Sequence, residues 1–244
     1  MANFSFSTQN PPSVIRAKRQ IILNELVKAD AGFAATPVKS IYRATLQRML
    51  VLYDEQFLNG LLRQYYVQLE VTLSARLLKS AGKFIHYTTG QKVRKAEIRM
   101  SSDFLFRLGE GPYELNGLTV TTPQEAFLIV FEHELCHAVE NAIYGNTGHS
   151  DRFMYFAHGI FGHTKTTHNL PTRSSETSEK TGIAVGSVVT FPYQGKIISG
   201  TVSYLGKTAR VMVPSPNGTY YDRNNPTRRY LKYQVPLHLL VLKH

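Results

Sequence analysis

The chain holds a single cysteine, Cys136, and no tryptophan. One cysteine excludes an internal disulfide framework, and it equally excludes a zinc ribbon built on paired cysteines. No apolar run approaches the roughly 18 residues that cross a bilayer. The opening residues, MANFSFSTQNPPS, lack a charged start and an apolar stretch, so no secretory leader is expected there. Acids are scarce at one end only. Residues 1–181 carry 20 Lys and Arg against 16 Asp and Glu, whereas residues 182–244 carry 8 against the single Asp222. Most of the formal charge of +11 therefore sits in the last quarter. Such asymmetry points to a polyanion-binding module, nucleic acid in the first place, with a solvated basic surface as the alternative. The expected setting is the cytoplasm or the nucleoid or nucleus, with the protein neither secreted nor membrane-spanning.

What is present reads as an ordinary globular mix, 43% hydrophobic and 18% charged over 244 residues. That length suits one large domain or two modest ones. Residues 1–36 form an N-terminal extension in which Val14 to Val27 is a basic amphipathic helix that stops at Gly32. Pro37 opens a second helix running to Leu58. Val67 to Leu73 alternates apolar and polar residues and is a strand. Lys83 to Tyr87 and Ala96 to Met100 are further strands, with Thr89-Gly90 as the turn between them. Phe104 to Leu108 is a short helix, and Gly109, Gly111 and Pro112 make a loop. Residues 169–181, NLPTRSSETSEKT, lack periodicity and read as a linker. Beyond it, residues 182–244 give short runs of Val, Ile, Tyr and Leu punctuated by Gln194-Gly195, Leu205-Gly206 and Asn217-Gly218. This is a small all-β module, most simply a five-stranded barrel. Its tyrosines interleave with Lys196, Lys207, Arg210, Arg223, Arg228, Arg229 and Lys232, the candidate nucleic-acid-binding residues. Aromatic faces stack bases while cations meet phosphates. Single-stranded and double-stranded DNA are not distinguished at this level.

The chemistry is concentrated in Phe127 to His149, FLIVFEHELCHAVENAIYGNTGH. Residues four apart share a helix face, so His133 and His137 can hold one metal ion. Two imidazoles suit zinc, and Glu134 beside them suits a general base. Thr122, Pro123 and Glu125 form an N-terminal capping box with proline at the first helical position, and Gly145 is the stop after Tyr144. Ser150 can cap the next helix, Asp151 to Gly162. A catalytic zinc needs three protein ligands and one open position. His149 is the chosen third ligand, because it follows a turn that reverses the chain. His163 and His168 stay as the alternative pair. Glu140 and Asn141, one turn past His137, either orient an imidazole or form an exposed polar turn. Cys136 points off the histidine face and reads as a buried small hydrophobe. Tyr144 and Tyr155 are the nearby candidates for oxyanion stabilisation.

His133-Glu134-Leu135-Cys136-His137-Ala138, followed by His149 with Phe153 four residues on, resembles the SprT-like (Spartan-related) zinc metalloproteases. Tyr53 to Phe57, the strand Val67 to Leu73, Ser74 to Leu77, Ala81-Gly82 and Arg99 to Ser101 fall in the same order, so the resemblance covers roughly residues 37–168. It implies an α+β, zincin-like fold with zinc on His133, His137 and His149. It implies peptide hydrolysis with Glu134 as base, on a protein substrate that includes proteins crosslinked to DNA. Ser150 stands where that family usually has glycine. The β module resembles SH3-like barrels of the Tudor or KOW type loosely. Two rival readings remain: a nucleic-acid-binding adaptor with a structural or inactive zinc site, and a regulatory peptidase specific for one protein partner.

Overall fold

The computed structural model describes residues 6–89, 93–222 and 225–243. The chain divides into two compact units, Met1–Leu170 and Pro171–His244. No helix among the described residues is long and apolar enough to cross a membrane.

The first unit is mixed α and β. Helix α1 (Pro12–Ala29) begins with a proline, whose missing N–H would be orphaned at that position anyway. It buries only Ile15, Ile22 and Leu26, one stripe on an otherwise polar helix. Asp30 ends it. The Asp30 carboxylate accepts from the amides of Gly32 and Phe33, capping α2 (Ala31–Ala34), and from the Tyr42 amide and the Thr45 hydroxyl, both at 2.8 Å. Those last two bonds mark the start of α3 (Arg43–Leu58). The sequence predicts this helix from Pro37. Asp30 and the Lys39 N–H···O=C Gly32 bond instead hold residues 37–42 outside it.

After α4 (Leu61–Tyr65) come β1 (Gln68–Ser74), β2 (Gly82–Thr89) and β3 (Val93–Ser101). They form one sheet in the order β1-β3-β2, with β1 parallel and β2 antiparallel to the central β3. Gly90 of the expected turn lies outside the described residues. Strand β2 is thus an edge. The short helix α5 (Ser102–Leu105) follows. The stretch read as loop contains a hairpin, β4 (Tyr113–Leu115) with β5 (Leu118–Val120). Asn116 and Gly117 at its turn both have positive φ, 51° and 80°, the signature of an Asn-Gly hairpin.

Helix α6 (Pro123–Tyr144) runs through the core. Its capping box at Thr122 and Glu125 is formed, and Gly145 closes it at φ 75°. Phe127, Phe131, Leu135 and Val139 are each at most 1% exposed. Burial on this scale contributes about 1.5–3 kcal/mol per large apolar side chain. Helix α7 (Asp151–Phe161) packs back on α6 and buries Phe153, Phe156, Ile160 and Phe161.

The second unit begins with a helix. The expected linker contains α8 (Arg173–Thr181), capped by Thr172 with Ser175 and stopped by Gly182 at φ 70°. It has no buried residue, so no apolar stripe announced it. The remainder is one antiparallel sheet: β6 (Val188–Tyr193), β7 (Lys196–Leu205), β8 (Thr208–Pro214), β9 (Tyr220–Tyr221), β10 (Arg229–Pro236) and β11 (Val241–Leu242), with a 3-10 turn at Leu237–Leu239. The order is β11-β6-β7-β8-β10-β9, six strands where five were expected. Two of the six, β9 and β11, are edges of only two residues. Ile183, Val189, Phe191, Val202, Leu205, Ala209, Val211, Val235 and Leu240 make its core.

Candidate metal centre

One helical turn of α6 carries His133 and His137 on a common face, half-buried. The loop after Gly145 turns the chain back and delivers His149. The three imidazoles each offer a nitrogen, and these nitrogens lie within 4.8 Å of one another. His133 Nε2 and His149 Nε2 are 2.9 Å apart. The ring of Phe153, fully buried on α7, contacts all three, with centroids 4.9, 4.5 and 5.0 Å from His133, His137 and His149. It is a rigid floor against which the triad is set.

Glu140 builds the loop that makes this possible. Its carboxylate is fully buried and accepts from Thr147 Oγ1 (2.9 Å), the Gly148 amide (2.9 Å) and Ser150 Oγ (3.2 Å). Because Thr147 gives its hydrogen to Glu140, it accepts from His137 Nδ1 at 2.8 Å. This fixes the His137 tautomer with hydrogen on Nδ1 and leaves Nε2 for a cation. The exposed-turn reading of Glu140 and Asn141 is therefore overturned. Asn141 is 5% exposed, and its Oδ1 accepts from the Tyr66 hydroxyl at 2.8 Å. Ser150 stands at the N-cap of α7, but its side chain makes no capping bond; it serves Glu140 instead.

Glu134 is 6% exposed and lies against the start of β2. A Cβ at position 82 would come within 2.7 Å of the Glu134 side chain, so any residue but glycine there displaces Glu134. Burial, opposed only by the Phe84 N–H, raises the Glu134 carboxyl to about 8. A nearby dication would draw it down again. Burial first, then repulsion from His137 and His149, lowers His133 to about 2. Burial and His149 lower His137 to about 4, against the pull of Glu140. His133 and His137 are thus held neutral, the form that binds metal. His133 Nδ1 is buried without a partner, whereas its Nε2 faces the cluster.

Beneath the motif, Glu132 is fully buried. Burial pushes its carboxyl up, but Arg19 and His163 outweigh that and hold it at about 2. Arg19 Nε and Nη2 donate to it at 2.8 Å each, Tyr53 Oη at 2.8 Å and His163 Nε2 at 2.9 Å. His163 is thereby committed away from the triad. His168 lines the same cavity as the triad but does not join it. Cys136 is buried, as expected, and burial raises its thiol. Tyr144 and Tyr155 lie outside the cavity; Arg152 sits over the Tyr144 ring, and the Tyr155 hydroxyl is bonded to Thr8.

The cavity over the triad measures about 580 Å³. Lys79 to Phe84 form one wall, Thr147 and His149 another, and Asn116, Thr166 and His168 a third. The donor set fits a divalent transition metal: three imidazoles, a carboxylate beside them and open space above. No protein-family model, curated protein or solved structure matches the chain.

On the second unit the seven predicted cations are not one patch. Lys196 begins β7 and Lys207 lies just past its other end, roughly 30 Å away at about 3.3 Å per residue. Arg210 on β8 and Lys232 on β10 are exposed positions alternating with buried Ala209, Val211 and Val235. Arg228 and Arg229 are exposed at the start of β10, and Arg223 lies outside the described residues. Phe191 and Tyr233 go to the core, with centroids 5.4 Å apart.

Proposed function

We propose that this chain is a zinc-dependent peptidase of the SprT-like kind, with a zincin-like first unit and an SH3-like second unit. The observation that carries it is the convergence of His133, His137 and His149 beside Glu134 at the floor of an open cavity. Three protein donors among the described residues, not four, favour a catalytic over a structural centre. Bound there, zinc would supply Lewis acidity, acidifying water and polarising a carbonyl. Glu134 takes a proton from the attacking water and returns it to the leaving amine. Phe84 turns its N–H to Glu134 and not to β3, so by strand alternation Gly82 and His86 present backbone groups on the same side. An extended peptide pairs with this edge and lies along the cavity.

The basic second unit holds a polynucleotide and raises the local concentration of proteins attached to it. The test is cleavage of a protein crosslinked to an oligonucleotide by wild type and Glu134→Gln, each loaded with zinc. Cleavage by wild type alone supports the reading. Equal products from both, or none from either, sink it.

A further inference from the structure

We propose that the outward face of β7, β8, β9 and β10 binds single-stranded polynucleotide, stacking an unpaired base on Tyr221 and Tyr230 while Arg210 and Lys232 meet the flanking phosphates. This rests on reading the second unit as a nucleic-acid module and is independent of the peptidase.

Strand alternation sorts the side chains. Ala209, Val211 and Val235 point into the core, so Arg210, Met212, Tyr230 and Lys232 point out. The register sets Lys232 and Thr201 each opposite Met212, and Tyr220 opposite Tyr230. Between them lies a depression of about 290 Å³, lined by Thr201, Ser203, Met212, Tyr221, Asp222 and Tyr230. Tyr221, the register partner of Arg229 at the end of the two-residue edge β9, is placed here by its lining of the depression and not by alternation, and it is 67% exposed. The cations are held against neighbouring aromatic rings: Lys232 Nζ is 4.0 Å from the centre of Tyr220, and the Arg210 guanidinium 5.4 Å from that of Tyr204.

Two features select the ligand. Asp222, the only acid of residues 182–244, lines the depression. A carboxylate there repels phosphate but accepts from an exocyclic base amine, so the base enters and the phosphates pass over Arg210 and Lys232. Duplex bases are stacked on each other and cannot offer a face to tyrosine; single strands can. DNA and RNA single strands share this chemistry.

The test uses the full chain and fluorescence anisotropy. Labelled oligo(dC) and oligo(rC) of about twelve nucleotides, within the usual site size and each base carrying an exocyclic amine, are compared with a duplex of equal length and with heparin, a polyanion without bases. The expected order places either single strand above duplex and heparin, and the stronger of the two names the natural source. Tyr221→Ala with Tyr230→Ala weakens single-strand binding about tenfold or more. The matching pair of Phe substitutions restores it to within about twofold, because the rings remain. Lys232→Ala lowers the salt slope by about one. Tyr221→Ala alone, at an exposed position, gives the same direction should the double variant fold poorly. Equal affinity for duplex and heparin, or indifference of a folded variant to loss of the rings, overturns the stacking face. Absence of binding to every polynucleotide overturns both this inference and the nucleic-acid reading, and leaves Glu134-dependent cleavage to stand or fall separately.

Discussion

The two units dispose of polar chemistry in opposite ways. In the first, Asp30, Asp54, Glu132, Glu134 and Glu140 are all at most 6% exposed. In the second, no charged side chain among the described residues is buried. The difference follows from core size. A buried carboxylate costs several kcal/mol unless several donors surround it. The first unit can supply those donors from distant segments, as Arg19, Tyr53 and His163 do for Glu132. The second unit has nine core side chains among its described residues, all apolar. It can keep charged and polar chemistry only on its surface. A cavity lined by buried charge therefore belongs to the first unit, and any binding by the second must use exposed side chains.

Two adjacent carboxylates of the first unit give the sharpest way to break this contrast. Glu134→Gln is expected to lower peptide cleavage by about 10²–10⁴-fold, with metal content and melting temperature unchanged. Glu132→Ala is expected to do the reverse. It leaves Arg19 and His163 without their buried partner and costs about 3–5 kcal/mol in denaturant unfolding. If Glu134→Gln unfolds the protein, or Glu132→Ala leaves its stability intact, the division between a working and a supporting carboxylate is wrong.

Thr147→Val comes next. It removes the hydroxyl that holds His137 Nδ1 and is expected to weaken metal affinity about 10–100-fold, measured by chelator competition. Thr147→Ser restores the hydroxyl and most of the affinity. Equal affinity in the valine variant would show that Glu140 shapes the loop without orienting the imidazole.

How much of this was legible from the sequence depends on how local the cause is. Helix α6 could be bounded at both ends because Thr122, Glu125 and Gly145 act within a few residues. His149 could be chosen because it follows a helix stop. The role of Glu140 could not, since its partners become neighbours only after the loop folds back. The partner of Glu132, Arg19, lies 113 residues away in a helix that looked merely amphipathic. Helix α8 was hidden for the opposite reason: it buries nothing, so it has a cap at each end but no periodicity. In the sheet of the second unit, strand alternation was readable, but which of the cations share a face was not. That needed the register.

Asp30→Asn tests a buried carboxylate far from the triad. Burial raises the Asp30 carboxyl, but the bonds from Tyr42, Thr45, Phe33 and Gly32 outweigh it and leave its pKa below the ordinary value. A carboxyl depressed on folding stabilises fully above its unfolded pKa, and that stability is lost as pH falls through the folded value. The asparagine variant is expected to be about 1–2 kcal/mol less stable at neutral pH, with the gap closing in acid. A gap that persists unchanged to low pH would assign the loss to geometry and not to charge.

The smallest effect is expected on the second unit. Lys196 lies five residues along β7 from Thr201, hence roughly 17 Å away at about 3.3 Å per residue. That is about two Debye lengths at physiological ionic strength, where the length is ≈ 8 Å. Screening over that distance leaves little of its attraction for a phosphate seated at Lys232. Lys196→Ala is therefore expected to change single-strand affinity by less than about twofold at physiological salt, and by more only when salt is lowered. Lys232→Ala, at the face itself, is expected to exceed it. Equal losses from both would mean that the polynucleotide runs the length of β7 and is held by charge along its whole path, with no anchoring base at Tyr221 and Tyr230.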